Sequence, residues 1–456
     1  TWSTLGAVTG VLVTGFLLMP AIGLRGAFLL LAGLLVLACL VFAFSIGHRI
    51  SLAAGAAAGA FLAAAAFGGE GWRHVMSSGV FRARETVIVP GTFERRHQHV
   101  KLLFYEDAAD ATVTVEEGDG IGAPAERGLR VNGKPDASSE GDLSTQMLLA
   151  HLPMIARTNA TDVFVVGFGS GITAGSVLGH PVERLDIAEN CEPVLRAGKL
   201  FEQWNGGVLS DPRVRIFKED ARTVLKLNPT QYDAIISQPS NPWMAGIGGV
   251  FSREFFQLAA SRLKEGGVMV QWFHIYEMSD DIAKLVLRTF ATVFPYVELW
   301  DASSGDLILV GGLEPIESGT ASIREFLSRE KPRRDFERIG LGSVEAVFAR
   351  QFASQATARG IAGDGGIQTD GFPVLEYAAP RAFFIGAQAQ ELIQHDERTR
   401  GGESLSLEKR AALASLTEAE IRRVFDRGTI NRGLLDHSIA EWHALDDPKS
   451  ARLSAR

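Results

Sequence analysis

The chain has 456 residues, a formal charge of −8 and two cysteines, Cys39 and Cys191, far apart in sequence. That length holds two or three domains, each able to bury its own core. The acidic balance argues against a generic nucleic-acid binder, which needs a basic face, and the isolated cysteines argue against a disulfide framework or cysteine metal site and fit a reducing compartment.

The first element is apolar. Residues 1–24 form one hydrophobic run, and 26–46 and 50–67 form two more, separated only by "LRG" and "GHR". The first two runs have the length of spanning helices, and the third, rich in Ala and Gly, is near the lower limit. A signal peptide would have one such run and a cleavage site. A buried helical hairpin is the alternative, disfavoured by apolar faces that go all round each helix. The spacings Gly6/Gly10 and Gly55/Gly59 suit close helix packing in lipid. A chain that opens on Thr1 inside such a helix reads as the tail of a larger membrane protein. Arg25, between the first two helices, shares its side with Arg73, Arg82, Arg84, Arg95 and Arg96, and Arg49 alone lies opposite. The positive-inside rule then predicts a multi-pass inner-membrane protein with a cytoplasmic soluble part.

Five regions are expected: membrane helices over 1–68, a linker over 69–94, a small β domain over 95–140, an α/β domain over 141–312 and a mostly helical extension over 313–456. The linker leads to a first strand around 86–89, and alternating strands follow at 100–105, 111–116 and 129–132. After a helix at 145–156, strands and helices alternate: "DVFVVGFGSG", "ERLDIAE", "VRIFKED", "YDAIIS" and "GVMVQWF" are strands with helices between them. That order predicts a parallel, Rossmann-like sheet wrapped by helices, completed by "DLILVGG".

Three strand tips carry a nucleoside signature. "VVGFGSG" puts Gly167, Gly169 and Gly171 at a strand-to-helix turn, where the backbone must turn tightly and a ligand can come close. The next strand ends in Glu189, placed to accept both ribose hydroxyls, and the third ends in Asp220–Ala221, placed for an adenine amino group. A dinucleotide site would want the full GxGxxG and a pyrophosphate grip, and here Gly171 is followed by Ile172 and Thr173. The pattern therefore favours a class I S-adenosylmethionine-type site, against the plain alternative of a tight βα turn.

The ordered series "HQHVKLLFYED", "LRVNGKPDASSEGDLSTQMLLAHLPM", "VFVVGFGSGITAGSVLGHPVERLDIAEN", "DPRVRIFKEDARTVL", "YDAIISQPSNPW" and "FSREFFQLAASRLKEGGVMVQW", over about 95–312, resembles the spermidine synthase family. It is most similar to the bacterial form in which such a domain is fused behind membrane helices, as is the late "TDGFPVLEYAAPR". The resemblance implies a small β domain before a Rossmann-like sheet. It also implies aminopropyl transfer from decarboxylated S-adenosylmethionine to a diamine, methylthioadenosine as the product and, often, a homodimer. Gln98 then matches the glutamine at methylthioadenosine, Glu189 the ribose acid, and Asp220 with Ala221 the Asp-Gly pair at adenine.

The diamine half departs from the family. The aspartate of its glycine loop falls on Ser170, and its Tyr-His-Glu falls on Thr145, Gln146 and Met147. Its Asp-Ser-Ser/Thr-Asp-Pro loop falls on Gln238, Pro239, Ser240, Asn241 and Pro242, so both acids have become amides. Burying a dication without carboxylates is costly, and Gln238, at the proton-acceptor position, cannot take a proton. Gln238 and Asn241 are kept as catalytic-position candidates beside the alternative of an ordinary polar loop, with Gln146, Ser170, Ser240 and Trp243 lining the acceptor pocket. Asp142 is the favoured substitute acid and Asp136 the second; His274 and Glu277 are weaker candidates, Trp272 a pocket wall or core residue, and His151 structural. No His/Cys/Asp cluster has metal-ligand spacing, and no metal is expected.

Three functions follow in order: a membrane-anchored aminopropyltransferase-like enzyme using S-adenosylmethionine or its decarboxylated form on an acceptor other than a simple diamine; a methyltransferase, lyase or cyclase using S-adenosylmethionine; and a non-catalytic nucleoside-binding subunit of a membrane complex. The expected partners are a small-molecule substrate and the membrane, with a homodimer or a membrane complex open and nucleic acid excluded.

Overall fold

The structure is a computed structural model that describes residues 2–66, 69–82, 91–109, 111–121, 125–303 and 305–397, with 417 and 419. The chain divides into two compact units, Thr1–Ser138 with Cys191–Leu200, and Ser139–Asn190 with Phe201 onward. The strand expected around 86–89, Arg84 and most of the chain beyond 397 lie outside the described residues.

In the N-terminal unit, Trp2–Ser45 is one helical run, and among the described residues it alone is long and apolar enough to cross a membrane. The expected break at "LRG" is a kink one residue earlier: Gly23 has φ 69° and ψ 177° inside the run. Glycine holds that conformation without a Cβ clash. The helix resumes at once because Leu24 N–H donates to Asp107 Oδ2 at 2.8 Å and Leu24 and Arg25 are good helix formers. The third expected span is the shorter helix Arg49–Ala66, 18 residues long.

The small β domain is an antiparallel sheet of β1 (Val100–Asp107), β2 (Thr112–Gly118), β3 (Arg127–Val131) and β4 (Lys134–Ser138), in that order. Val113, Val115 and Leu129 are fully buried in it, and Glu116, on the opposite face of β2 from Val113 and Val115, is buried as well. Burial leaves that carboxylate needing partners, and it has Arg130 at 2.7 Å and Ser77 at 2.6 Å. The sequence expectation lacked β4, whose Pro and Asp are poor strand formers. The turn before it is the signal that finds it: Asn132 and Gly133 both have positive φ, 52° and 77°, the geometry of a two-residue hairpin turn. The segment expected as linker contains the helix Gly71–Ser77, and the helix Thr92–His99 runs from its end into the region expected as β domain.

The C-terminal unit is built on eight strands: β5 (Asp162–Val166), β6 (Arg184–Ala188), β7 (Val214–Phe217), β8 (Tyr232–Ser237), β9 (Leu263–His274), β10 (Tyr296–Ser303), β11 (Asp306–Gly312) and β12 (Gln351–Ala353). Their spatial order is β12-β10-β11-β9-β8-β5-β6-β7. β5 to β9 pair in parallel, as the βα alternation predicts. The expected all-parallel sheet is mixed, however, because β10 and β11 are joined by a tight hairpin that forces antiparallel pairing, and β11 pairs antiparallel with β9. Chain order reverses between β8 and β5, so the crevice at their carboxyl ends is the topological switch point where α/β ligands bind.

The segment from 313 to 397 adds β12 and several helices to this same unit. Its late motif holds the loop after β8, where Glu376 accepts from Gly248 N–H at 3.0 Å, and reaches the helix after β7, where Asp370 pairs with Arg222. Phe383 stacks on Trp243 with ring centroids 4.3 Å apart.

Candidate active site

The crevice begins at the turn after β5. Gly167, Gly169 and Gly171 all have positive φ, and Gly171 starts the helix Ile172–Val177. That short helix packs hard on the chain behind it: a Cβ on Gly175 would lie 2.2 Å from the Asn205 carbonyl oxygen. Glu189, just past β6, is buried and accepts from Phe168 N–H at 2.9 Å. One carboxylate oxygen therefore orders the glycine turn. Asp220, past β7, is half-buried and caps the helix Ala221–Leu227 through Oδ1, which accepts from Thr223 N–H at 3.0 Å. Its Oδ2 takes no part in that cap, and Ala221 beside it is buried. Gln98 is exposed on the helix Thr92–His99 of the N-terminal unit.

Past β8 the lining is neutral. The Thr173 hydroxyl donates to Gln238 Oε1 at 2.7 Å, which leaves the amide NH₂ as the group Gln238 can present. Ser170 and Gln146 are each about 1% exposed, and the serine hydroxyl donates to Gln146 Oε1. Where the family's aspartate and histidine would stand, a neutral bonded pair ties the glycine turn to the helix Leu143–Ala156. Ser240 is half-buried in the same loop, and Trp243 is buried and donates from Nε1 to Glu277 at 3.0 Å. Glu277 itself has φ 55°, a strained backbone for a residue with a Cβ and a common mark of functional loops.

Asn241 is tied to a buried histidine. Its Nδ2 lies 2.8 Å from His274 Nε2, and both side chains are buried. His274 Nδ1 bonds the Tyr276 carbonyl oxygen. The tautomer with its proton on Nδ1 satisfies both bonds, so Asn241 locks the imidazole. Tyr276 stacks on that ring at 4.3 Å, and burial, then the nearby Asp306 charge, push its phenol pKa well up.

Two acids reach this half of the crevice. Asp142, the favoured substitute, stands at the start of the helix Leu143–Ala156, half-buried. The other, Asp306, was not among the sequence candidates; it stands at the first position of β11 and is 7% exposed. Thr145 Oγ1 donates to its Oδ2 at 2.9 Å. Burial raises the Asp306 pKa to about 6, with the Asp142 charge adding to the rise. The available signal was a carboxylate opening an otherwise apolar strand, "GDLILVGG".

The remaining candidates lie elsewhere. Asp136 belongs to the N-terminal unit and pairs with Lys134 at 2.6 Å. His151 is fully buried, 2.9 Å from His180 and 3.3 Å from Asp335, and burial lowers its pKa. Trp272 is buried on β9 with its ring 5.3 Å from His274. Among the described residues no group of three or more His, Cys, Asp or Glu could hold a metal.

Residues 143–302 match the Spermine/spermidine synthase domain. Polyamine aminopropyltransferase 2 of Pseudomonas aeruginosa is 30% identical over 184 residues, 39% of this chain and 52% of that protein. Putrescine N-methyltransferase 2 of Nicotiana tabacum is 28% identical over 162 residues, 34% of this chain and 46% of that protein. A spermidine synthase solved in complex with the transition state analogue AdoDATO is 24% identical, covering 50% of this chain and 79% of its own, with a TM-score of 0.43. The chain thus spans about half the length of these curated relatives.

Proposed function

Because this chain belongs to the spermidine synthase-like family through its Spermine/spermidine synthase domain, we propose that it is a transferase that moves an alkyl group from the sulfonium of a nucleoside donor to an amine. The donor is decarboxylated S-adenosylmethionine or S-adenosylmethionine, bound at the glycine turn, Glu189 and Asp220–Ala221. The acceptor is an amine other than a simple diamine. One observation carries this: the tips of β5, β6 and β7 keep a turn and two acids suited to adenosine, while the loop past β8 offers Gln238, Ser240 and Asn241 in place of acids. That loop by itself gives a dication no counter-charge, and burying a cation without one is costly.

The N-terminal helices anchor the enzyme in the inner membrane as a multi-pass protein with its transferase part in the cytoplasm, and a homodimer or membrane complex is its working form. Methyl transfer is the second reading, favoured by the likeness to putrescine N-methyltransferase. Thermal shift of the detergent-solubilised chain with methylthioadenosine, S-adenosylmethionine and decarboxylated S-adenosylmethionine tests the nucleoside half. We expect stabilisation by at least two of the three; no shift with any of them removes both readings. Product analysis with each donor and a panel of mono-, di- and polyamines then separates aminopropyl from methyl transfer.

A further inference from the structure

We propose that Asp306 is the proton acceptor of this site and that Asp142 is the second carboxylate that holds the ammonium of the amine substrate. The inference rests on the amine-alkylating function proposed above and goes beyond it by placing the base on β11, away from the loop past β8.

Three observations converge on Asp306. It opens β11 opposite His274 of β9, so the register brings it to the carboxyl edge where the other acceptor-half residues gather. Only one of its oxygens is well bonded: Oδ2 takes the Thr145 hydroxyl at 2.9 Å and lies 3.4 Å from Ser303 Oγ. Its Oδ1 is sealed from solvent without a hydrogen bond of full geometry, although Trp272 and Tyr276 approach as donors and offset part of its raised pKa. Buried carboxylate oxygens are ordinarily satisfied, and the partner that best satisfies one is a cationic N–H.

The groups around it fit the same role. Asp142 from the helix Leu143–Ala156 acts on Asp306 through space and raises its pKa, as it does that of Tyr276. Two carboxylates that repel one another are relieved by a shared cation. Beyond β9, Tyr276 and Glu277 add a phenol and a third carboxylate, and His274 faces Asp306 across the register with its ring nitrogens engaged by Asn241 and the Tyr276 carbonyl. At the family's acceptor position Gln238 cannot take a proton, and Asn241 is occupied in holding His274. A carboxyl held up to about 6 is ionised at neutral pH yet basic enough to serve as a general base.

The step balances without any further reactant. The Asp306 carboxylate takes one proton from the substrate ammonium, freeing the nitrogen lone pair. That lone pair forms the new N–C bond to the sulfonium methylene or methyl, and the C–S bond breaks. Its electron pair stays on sulfur, which leaves as a neutral thioether, and the alkylated nitrogen carries the positive charge.

The test uses the full chain in detergent, measuring nucleoside product release with the amine panel across pH 5 to 9. We expect Asp306→Asn to keep its thermal shift with methylthioadenosine and to lose at least a hundredfold in kcat. Wild type should show an acidic limb in kcat/KM near the Asp306 pKa of about 6. Thr145→Val removes the donor to Oδ2 and is expected to move that limb to higher pH, a shift that a merely structural role would not produce and that decides the matter if Asp306→Asn does not fold. Wild-type activity with Asp306→Asn equally active, or with a limb that Thr145→Val leaves in place, overturns the role of Asp306 and leaves the proposed function standing. A wild-type chain that binds methylthioadenosine but releases no product with any amine overturns both.

Discussion

At the tips of β5, β6 and β7 the acids follow directly from local sequence. Glu189 ends its strand and bonds the turn two positions past β5, and Asp220 caps the helix that begins one residue later. At the tips of β8, β9 and β11 the chemistry is assembled from five separate stretches. Gln238 meets Thr173, Asn241 meets His274, and Asp306 meets Thr145 across 161 positions of sequence. The nucleoside half is thus a set of motifs, whereas the acceptor half is a set of meetings. On the function proposed above, the charge an amine needs would come from Asp142 and Asp306 in place of the loop past β8.

The largest expected effect falls on the nucleoside half. Gly175→Leu drives a Cβ toward the Asn205 backbone, 2.2 Å away, where neither side can yield cheaply. Overpacking of this kind costs about 3 kcal/mol, so we expect a clear fall in Tm and loss of stabilisation by methylthioadenosine. An unchanged Tm would show that the short helix is not what holds the glycine turn.

The second effect separates the halves by pH. The folded chain holds the Asp306 pKa up to about 6, whereas the unfolded chain releases that proton near the ordinary value of about 3.9. Folding therefore favours the protonated form, and stability is lost as pH rises from about 4 to about 6, with the penalty constant above. At 1.36 kcal/mol per unit, this is about 2–3 kcal/mol. Asp306→Asn should raise the Tm at pH 8 and leave it unchanged at pH 4, as calorimetry at the two pH values can read. Stability gained together with activity lost is the mark of a functional carboxyl; a Tm lowered at both values would assign Asp306 to the core alone.

The smallest effect tests the neutral loop itself. Gln238→Asp returns a carboxylate to the switch point, and a hydrogen bond to a charged group is worth about 1.5–3 kcal/mol. Turnover of putrescine, measured as kcat/KM, should rise about tenfold or more. No change would mean that Gln238 does not face the acceptor.

Much of this protein was legible in the chain. Hydrophobic runs of four to seven residues alternating with amphipathic stretches specify a parallel α/β sheet, because a strand buried on both faces has few other sequences open to it. Gly167 to Gly171, Glu189 and Asp220 could be placed because each sits within a few residues of a strand end. The kink at Gly23 came within one residue of the polar break that marked it. Asp306 could not be found this way. Its position depends on the β10–β11 hairpin running antiparallel to β9, and register between distant strands is written in no local pattern. The fate of Asn241 was hidden for the same reason, since His274 lies 33 positions away.

The sequence alone therefore determined the α/β sheet, the apolar start and the placing of a glycine turn and two acids at strand tips, all of which rest on contacts between near neighbours or on composition. Only the tertiary structure decided that the sheet is mixed, that Asn241 is bound to an imidazole, and that a buried acid stands across from it. Those outcomes depend on burial and on which strand lies beside which, and a carboxyl acquires its proton affinity from the groups that folding brings around it.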